Sequence, residues 1–146
     1  MKQLFLSLLF FSLLFNCSKS DDGITENPYL PNYGFDTQGL INTSLPEYSN
    51  LLLPGNAVVK YGYGINGFVL YHIGNGQYTC FELTDPNHTI SACSILTVDG
   101  IFASCDCSDG NTYEIVTGQP SDGTEGQYTL KPYRMEVSGN IIRVYN

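Results

Sequence analysis

Cations are scarce in this chain. Six Lys and Arg stand against 14 Asp and Glu, for a formal net charge of −8. Such a surface repels phosphates, which argues against nucleic acid as a partner. Helical periodicity is also missing, with no pattern running beyond two turns. No Gly-rich loop leads into a helix start, and no Ser/His/Asp set has a recognisable nucleophile context. These absences exclude the common hydrolase and nucleotide-binding layouts, and no catalytic constellation is expected. Asp106, Asp109 and Asn111 miss the spacing of a calcium loop and read as turn formers. The only close cysteine pair, Cys105-x-Cys107, is not a zinc knuckle. Of the two histidines, His72 lies in a strand-like run and reads as half-exposed, which leaves His88 as the one histidine in loop-like sequence.

Only one long apolar run is present, Leu4 to Phe15 behind Lys2. It is shorter than the roughly 20 residues a membrane-spanning helix needs and has the shape of an export signal. Leu14-Phe15-Asn16-Cys17 resembles a bacterial lipobox, which implies a signal peptide over 1–16 and an acylated Cys17. Ser18-Lys19-Ser20-Asp21-Asp22 resembles the tether of Bacteroidetes lipoproteins, where such acidic residues accompany surface export. The expectation is an outer-membrane or cell-envelope lipoprotein, surface-exposed by that hint. Its membrane partner is met through the lipid anchor, and the rest of the chain is soluble. From 17 to 43 the sequence is polar, with Pro28 and Pro31, and reads as a flexible tether with some extended contacts, giving way to globular sequence near Ile41. The globular domain is assigned to 44–146.

Strand signals fill that domain. Ala57–Tyr63, Gly67–Ile73 and Gln77–Leu83 are aromatic and β-branched runs, the last two joined by Gly74-Asn75-Gly76. Ile95–Val98 and Ile101–Cys105 flank Asp99-Gly100, whose positive φ angles suit a tight hairpin. Tyr133–Val137 and Ile141–Tyr145 form a third hairpin, with Tyr133, Met135 and Val137 alternating onto one face. The fold class is all-β, an antiparallel β sandwich or small barrel. Four cysteines follow Cys17, namely Cys80, Cys93, Cys105 and Cys107. In an exported chain they oxidise or bind metal, and spacing alone leaves all three pairings open.

Cys105-Asp106-Cys107-Ser108-Asp109-Gly110, followed by Tyr113 and the Thr117-Gly118 turn, resembles the second cluster-binding loop of a Rieske iron–sulfur domain. The likeness extends from about Leu45 to Asn146. In that family a first loop with Cys-x-His and a later cysteine is joined through a short hairpin to a second loop, Cys-Pro-Cys-His-Gly-Ser. Here Asp85-Pro86-Asn87-His88 places aspartate where the first ligand cysteine belongs and histidine one position late. Cys93 matches the later cysteine, Cys105 the second ligand cysteine and Cys107 its non-ligand neighbour. Ser108 replaces the second ligand histidine. The third loop, Gly123 to Tyr128, lacks the proline that covers the cluster in the family.

The resemblance implies a disulfide between Cys93 and Cys107 that clamps the loop tip. A second one, Cys80–Cys105, is hypothesised from the even count and the exported compartment. A Rieske centre needs two thiolates on one iron and two imidazoles on the other. Only Cys105 is clearly kept, so the expectation is no cofactor, and a binding or structural module whose partner is an envelope protein or a glycan. The alternative is an electron carrier with a [2Fe–2S] cluster on a non-standard set, in which Cys105 and His88 bind the cofactor and Asp85 and Ser108 occupy degenerate ligand positions.

Overall fold

The computed structural model describes residues 26–146, so the expected signal peptide and the expected acylation of Cys17 lie outside the described residues. Among the described residues nine strands follow one another: β1 (Ile41–Asn42), β2 (Ala57–Lys60), β3 (Phe68–Gly74), β4 (Gln77–Glu82), β5 (Leu96–Asp99), β6 (Phe102–Cys105), β7 (Thr112–Glu114), β8 (Arg134–Ser138) and β9 (Ile141–Tyr145). They form three antiparallel three-stranded sheets, ordered β2-β3-β4, β5-β6-β7 and β1-β9-β8. The all-β, antiparallel expectation holds. No described helix is long and apolar enough to cross a membrane.

Sheet β2-β3-β4 is the middle layer, because both of its faces are buried. Along β3, Val69 and Tyr71 face one apolar cluster with Leu96, Ala103, Cys105, Tyr113 and Ile115. Phe68 and Leu70 face the other, with Ile41, Tyr48, Leu51, Ile142 and Val144. Successive side chains of a strand point to opposite faces, so one strand serves two cores. The second core also takes Tyr48 and Leu51 from a 3₁₀ turn, Pro46–Leu52. Their i, i+3 spacing matches three residues per turn and sets both on one face.

Several boundaries differ from expectation. The globular part starts well before residue 44. Leu30, Thr37 and Ile41 are buried, Asp36 bridges to Tyr145, and β1 pairs with β9. The tether assignment therefore fails for the stretch that packs on the sheet. Strand β2 ends at Lys60 because Gly62 and Gly64 adopt φ of +86° and +63°. On β8 only Tyr133, just ahead of the strand, is buried, while Val137 is 48% exposed. This edge strand has nothing packed over its far end.

The alternation that makes β3 two-faced also decides the fate of Cys80. It pairs with Leu70 across β4 and faces the β1-β9-β8 side, whereas Cys105 belongs to the opposite core. Both are free and buried, so the hypothesised Cys80–Cys105 disulfide is not formed. The middle sheet separates the two sulfurs.

Candidate functional site

Two loops meet at one end of the β5-β6-β7 sheet. The first leaves β4 through Leu83 and Thr84 and returns at Leu96. Its base is closed by Leu96 N–H to Leu83 O (2.7 Å) and Asp85 N–H to Ser94 O (2.9 Å). The second spans the residues between β6 and β7 and is closed by Cys105 N–H to Asn111 O (2.7 Å). A disulfide between Cys93 and Cys107, with Cα atoms 5.0 Å apart, ties the loops together. This pairing is the one implied by the resemblance, and it forms the clamped tip.

His88 reaches across from the first loop. Its Nδ1 lies 2.8 Å from the Thr89 carbonyl oxygen, which can only accept, so Nδ1 carries a proton. Nε2 points into the cluster, 3.2 Å from Cys105 Sγ, 3.5 Å from Asp85 Oδ2 and 3.7 Å from Asp109 Oδ2. Among the described residues, no lysine or arginine pairs with either carboxylate. Burial, aided by the Asp85 and Asp109 carboxylates, pushes the Cys105 thiol up to about 12, against the hydrogen bond it accepts from Cys107 N–H. Without a bound cation Cys105 is a protonated thiol at neutral pH.

Asp85 is fully buried and heavily hydrogen-bonded. Its Oδ1 accepts from Tyr113 Oη (2.6 Å) and from Asn87 N–H (2.8 Å), and its Oδ2 accepts from Asn111 Nδ2 (3.1 Å). Tyr113 is pushed well above the ordinary phenol range, chiefly by burial and then by its bond to Asp85. Asn87, which stands where the resemblance expects histidine, is committed elsewhere. Its side chain donates to Tyr113 Oη (2.9 Å) and Tyr128 O (2.8 Å) and accepts from Tyr128 N–H (2.8 Å). Those bonds hold the third loop down. Glu125 N–H to Asn111 Oδ1 (2.8 Å) and Thr124 Oγ1 to Thr112 O (2.7 Å) add to the closure, so the wall needs no covering proline.

The four ligand positions of a Rieske centre therefore hold a thiol at Cys105, a hydrogen-bonded carboxylate at Asp85, a structural amide at Asn87 and an exposed hydroxyl at Ser108. In such a centre thiolates and imidazoles sit on opposite irons with the sulfides between them. Only Cys105 supplies a soft donor at its own position, and His88 Nε2 lies 3.2 Å from that same sulfur. The residues do not fit a standard [2Fe–2S] cluster. His88 and Cys105 are brought together; Ser108 stays outside. Sequence reading missed Asp109 as a member of the cluster, because its turn-forming context gave no sign that it faces His88.

The other histidine is buried rather than half-exposed. His72 stacks on Tyr78 with ring centroids 4.5 Å apart, and neither ring nitrogen has a hydrogen-bond partner. Elsewhere a buried glutamate, Glu82, accepts bonds from Ile65 N–H, Asn66 N–H, Thr84 Oγ1 and Tyr133 Oη. It pins the loop between β2 and β3 and is structural. A cleft of about 810 Å³ between 26–32 and 128–132 includes none of the cluster donors.

No protein-family model matches the chain, and no curated protein matches it. Solved structures that are similar in part include the following two. One is a chain of the complex of reduced oxygenase and oxidized ferredoxin in carbazole 1,9a-dioxygenase. It is 26% identical with a TM-score of 0.43, over 63% of this chain and 82% of that one. The other is the small subunit assigned to an NADH-dependent nitrite reductase from Mycobacterium tuberculosis, 17% identical with a TM-score of 0.44 over 79% and 97% of the respective chains.

Proposed function

We propose that the protein is a cell-envelope lipoprotein whose Rieske-like domain has given up the [2Fe–2S] centre and serves as a non-enzymatic binding or structural module. A disulfide-locked tip would then meet an envelope protein or a glycan, with the chain held at the membrane by acylated Cys17. The observation that carries this reading is the employment of the old ligand positions: the Asn87 side chain and Asp85 Oδ1 are committed to hydrogen bonds that hold the three loops together. Net acidity and the polar segment after Cys17 support an exported, surface-facing module. Electron transfer on a non-standard ligand set is the second reading, favoured by one contact, His88 to Cys105.

Anaerobic iron–sulfur reconstitution followed by EPR separates the two. The proposal expects no stoichiometric iron with sulfide and no Rieske-type signal. A stable signal of that type, lost on substitution of Cys105 or His88, would overturn it.

A further inference from the structure

Three donors that cannot serve a two-iron cluster, from His88, Cys105 and Asp109, lie within 4.8 Å of one another, and Asp85 Oδ2 is 3.5 Å from the histidine nitrogen. We propose that His88 Nε2, Cys105 Sγ, Asp85 Oδ2 and Asp109 Oδ2 form a mononuclear site for a divalent ion of the zinc class. The inference goes beyond the reading of a cluster-free module and does not depend on which partner that module meets.

Geometry comes first. With Zn–N and Zn–O near 2.0 Å and Zn–S near 2.3 Å, a tetrahedral site separates its nitrogen from an oxygen by about 3.3 Å and from a sulfur by about 3.5 Å. The structure places Nε2 at 3.2 Å from Cys105 Sγ and at 3.5 and 3.7 Å from the two carboxylate oxygens. These edges need adjustments of a few tenths of an ångström. His88 Nε2, Cys105 Sγ and an Asp109 oxygen lie within 4.8 Å of one another, as does Cys107 Sγ. Cys107 is spent in the disulfide with Cys93, and Asp85 takes its place as the fourth donor.

The surroundings are those of a metal site. His88 donates its other ring N–H to the Thr89 carbonyl, the orientation that leaves Nε2 free to bind. Tyr113 and Asn87 hold Asp85 Oδ1, which turns Oδ2 inward. Asn111 Nδ2 bridges the two carboxylates at 3.1 and 3.3 Å. Asp109 Oδ1 is buried and has no hydrogen-bond partner, an acceptor left over at the same spot. Two carboxylates facing an imidazole and a thiol, with no nearby lysine or arginine, make a site of net negative charge that a divalent ion would neutralise. The mixed N, S, O set suits zinc better than calcium or magnesium, which prefer oxygen donors alone. Four protein donors leave no open position, so the ion would be structural, a second clasp beside the disulfide.

The test is titration of the full-length chain, disulfide intact and metal-free, with Zn²⁺ by calorimetry and with Co²⁺ by absorption. One equivalent of Zn²⁺ is expected, with a raised thermal midpoint. Co²⁺ should give thiolate-to-metal charge transfer and the strong visible bands of tetrahedral coordination. Cys105→Ser and His88→Gln should each weaken Zn²⁺ by more than about 100-fold, since even outer-shell changes cost 10- to 100-fold. Asp109→Asn lies on an accessible turn and serves as a further ligand variant if either of those fails to fold. Absence of binding, or binding unchanged in the ligand variants, overturns the site. Neither result touches the cluster-free reading, which only a reconstituted Rieske-type signal would sink.

Discussion

His88 Nε2 touches Cys105 Sγ at 3.2 Å across two loops that Cys93 and Cys107 join covalently. Asp85 Oδ2 lies 3.5 Å from the same Nε2, and Asp85 is itself fixed by Tyr113 and Asn111. The tip is thus held by one covalent link and one buried carboxylate.

Asp85 should be costly to alter. Asp85→Asn replaces an acceptor by an amide whose N–H₂ must face a donor, Asn111 Nδ2 or Tyr113 Oη. Leaving such groups unsatisfied in a buried network costs about 3 kcal/mol. Tyr113→Phe removes one bond to a charged acceptor and should cost about 1.5–3 kcal/mol. Urea unfolding of the two single variants and the double variant checks both. The double should cost less than the sum, because the two share one interaction.

Thiol accounting distinguishes the disulfide pattern. Native protein should resist alkylation at Cys80 and Cys105, both buried, and be modified at these two positions only after unfolding without reductant. Mass spectrometry after digestion should recover a Cys93–Cys107 linked peptide. Closing a loop across a sequence separation of 14 contributes about 3 kcal/mol in the chain-entropy model, so Cys93→Ser with Cys107→Ser should lower stability by about that amount. A linked peptide joining Cys80 to Cys105 would contradict the two-core arrangement.

The hairpins were legible because turn chemistry and alternation agree: Asp99-Gly100 and Gly74-Asn75-Gly76 sit between runs whose side chains alternate. The loop pair and the Cys93–Cys107 clamp were legible through the resemblance, since the cysteine spacing survives in both loops. Cys80 was not, because β4 lies in a sheet covered on both sides and its alternation carries no polar face to mark direction. Segment 26–43 looked like a linker because its Pro, Asn and Gly content hides the four residues, Leu30, Thr37, Ile41 and Thr43, that it buries. Asp109 and Asn87 escaped notice for a different reason: their roles depend on partners more than 15 residues away, such as His88 for the one and Tyr113 for the other. Local sequence holds no trace of such pairs.

Closure of the third loop over Asn87 requires glycine at 126. Gly126 has φ +106°, and a Cβ there would stand 2.3 Å from Asn87 Oδ1. Gly126→Ala should cost roughly 2 kcal/mol or more, combining backbone strain with displacement of Asn87. Gly123→Ala is the control, since its φ is +91° but the space around it is open. Amide exchange at Tyr128, which donates to Asn87 Oδ1, should speed up in the first variant and stay slow in the second.

Alkaline pH should destabilise the fold before the buried thiols and phenols ionise in the native state. Cys105 is pushed to about 12 from an ordinary value of 9.0, and Cys80, Tyr113 and Tyr133 are also raised, each chiefly by burial. For an acid raised in the folded state, the unfolded chain releases its proton first, so native protein binds more protons between the two values and stability falls as pH rises. The contribution is whole below the unfolded value near 9 and declines through the window up to about 12 for Cys105. Urea midpoints of metal-free protein should therefore be flat from pH 7 to about 8.5 and drop by pH 10.5. Cys105→Ala should flatten that drop, leaving the part due to Cys80 and the two tyrosines. An unchanged slope would place the Cys105 thiol in contact with water and contradict the packing of the tip.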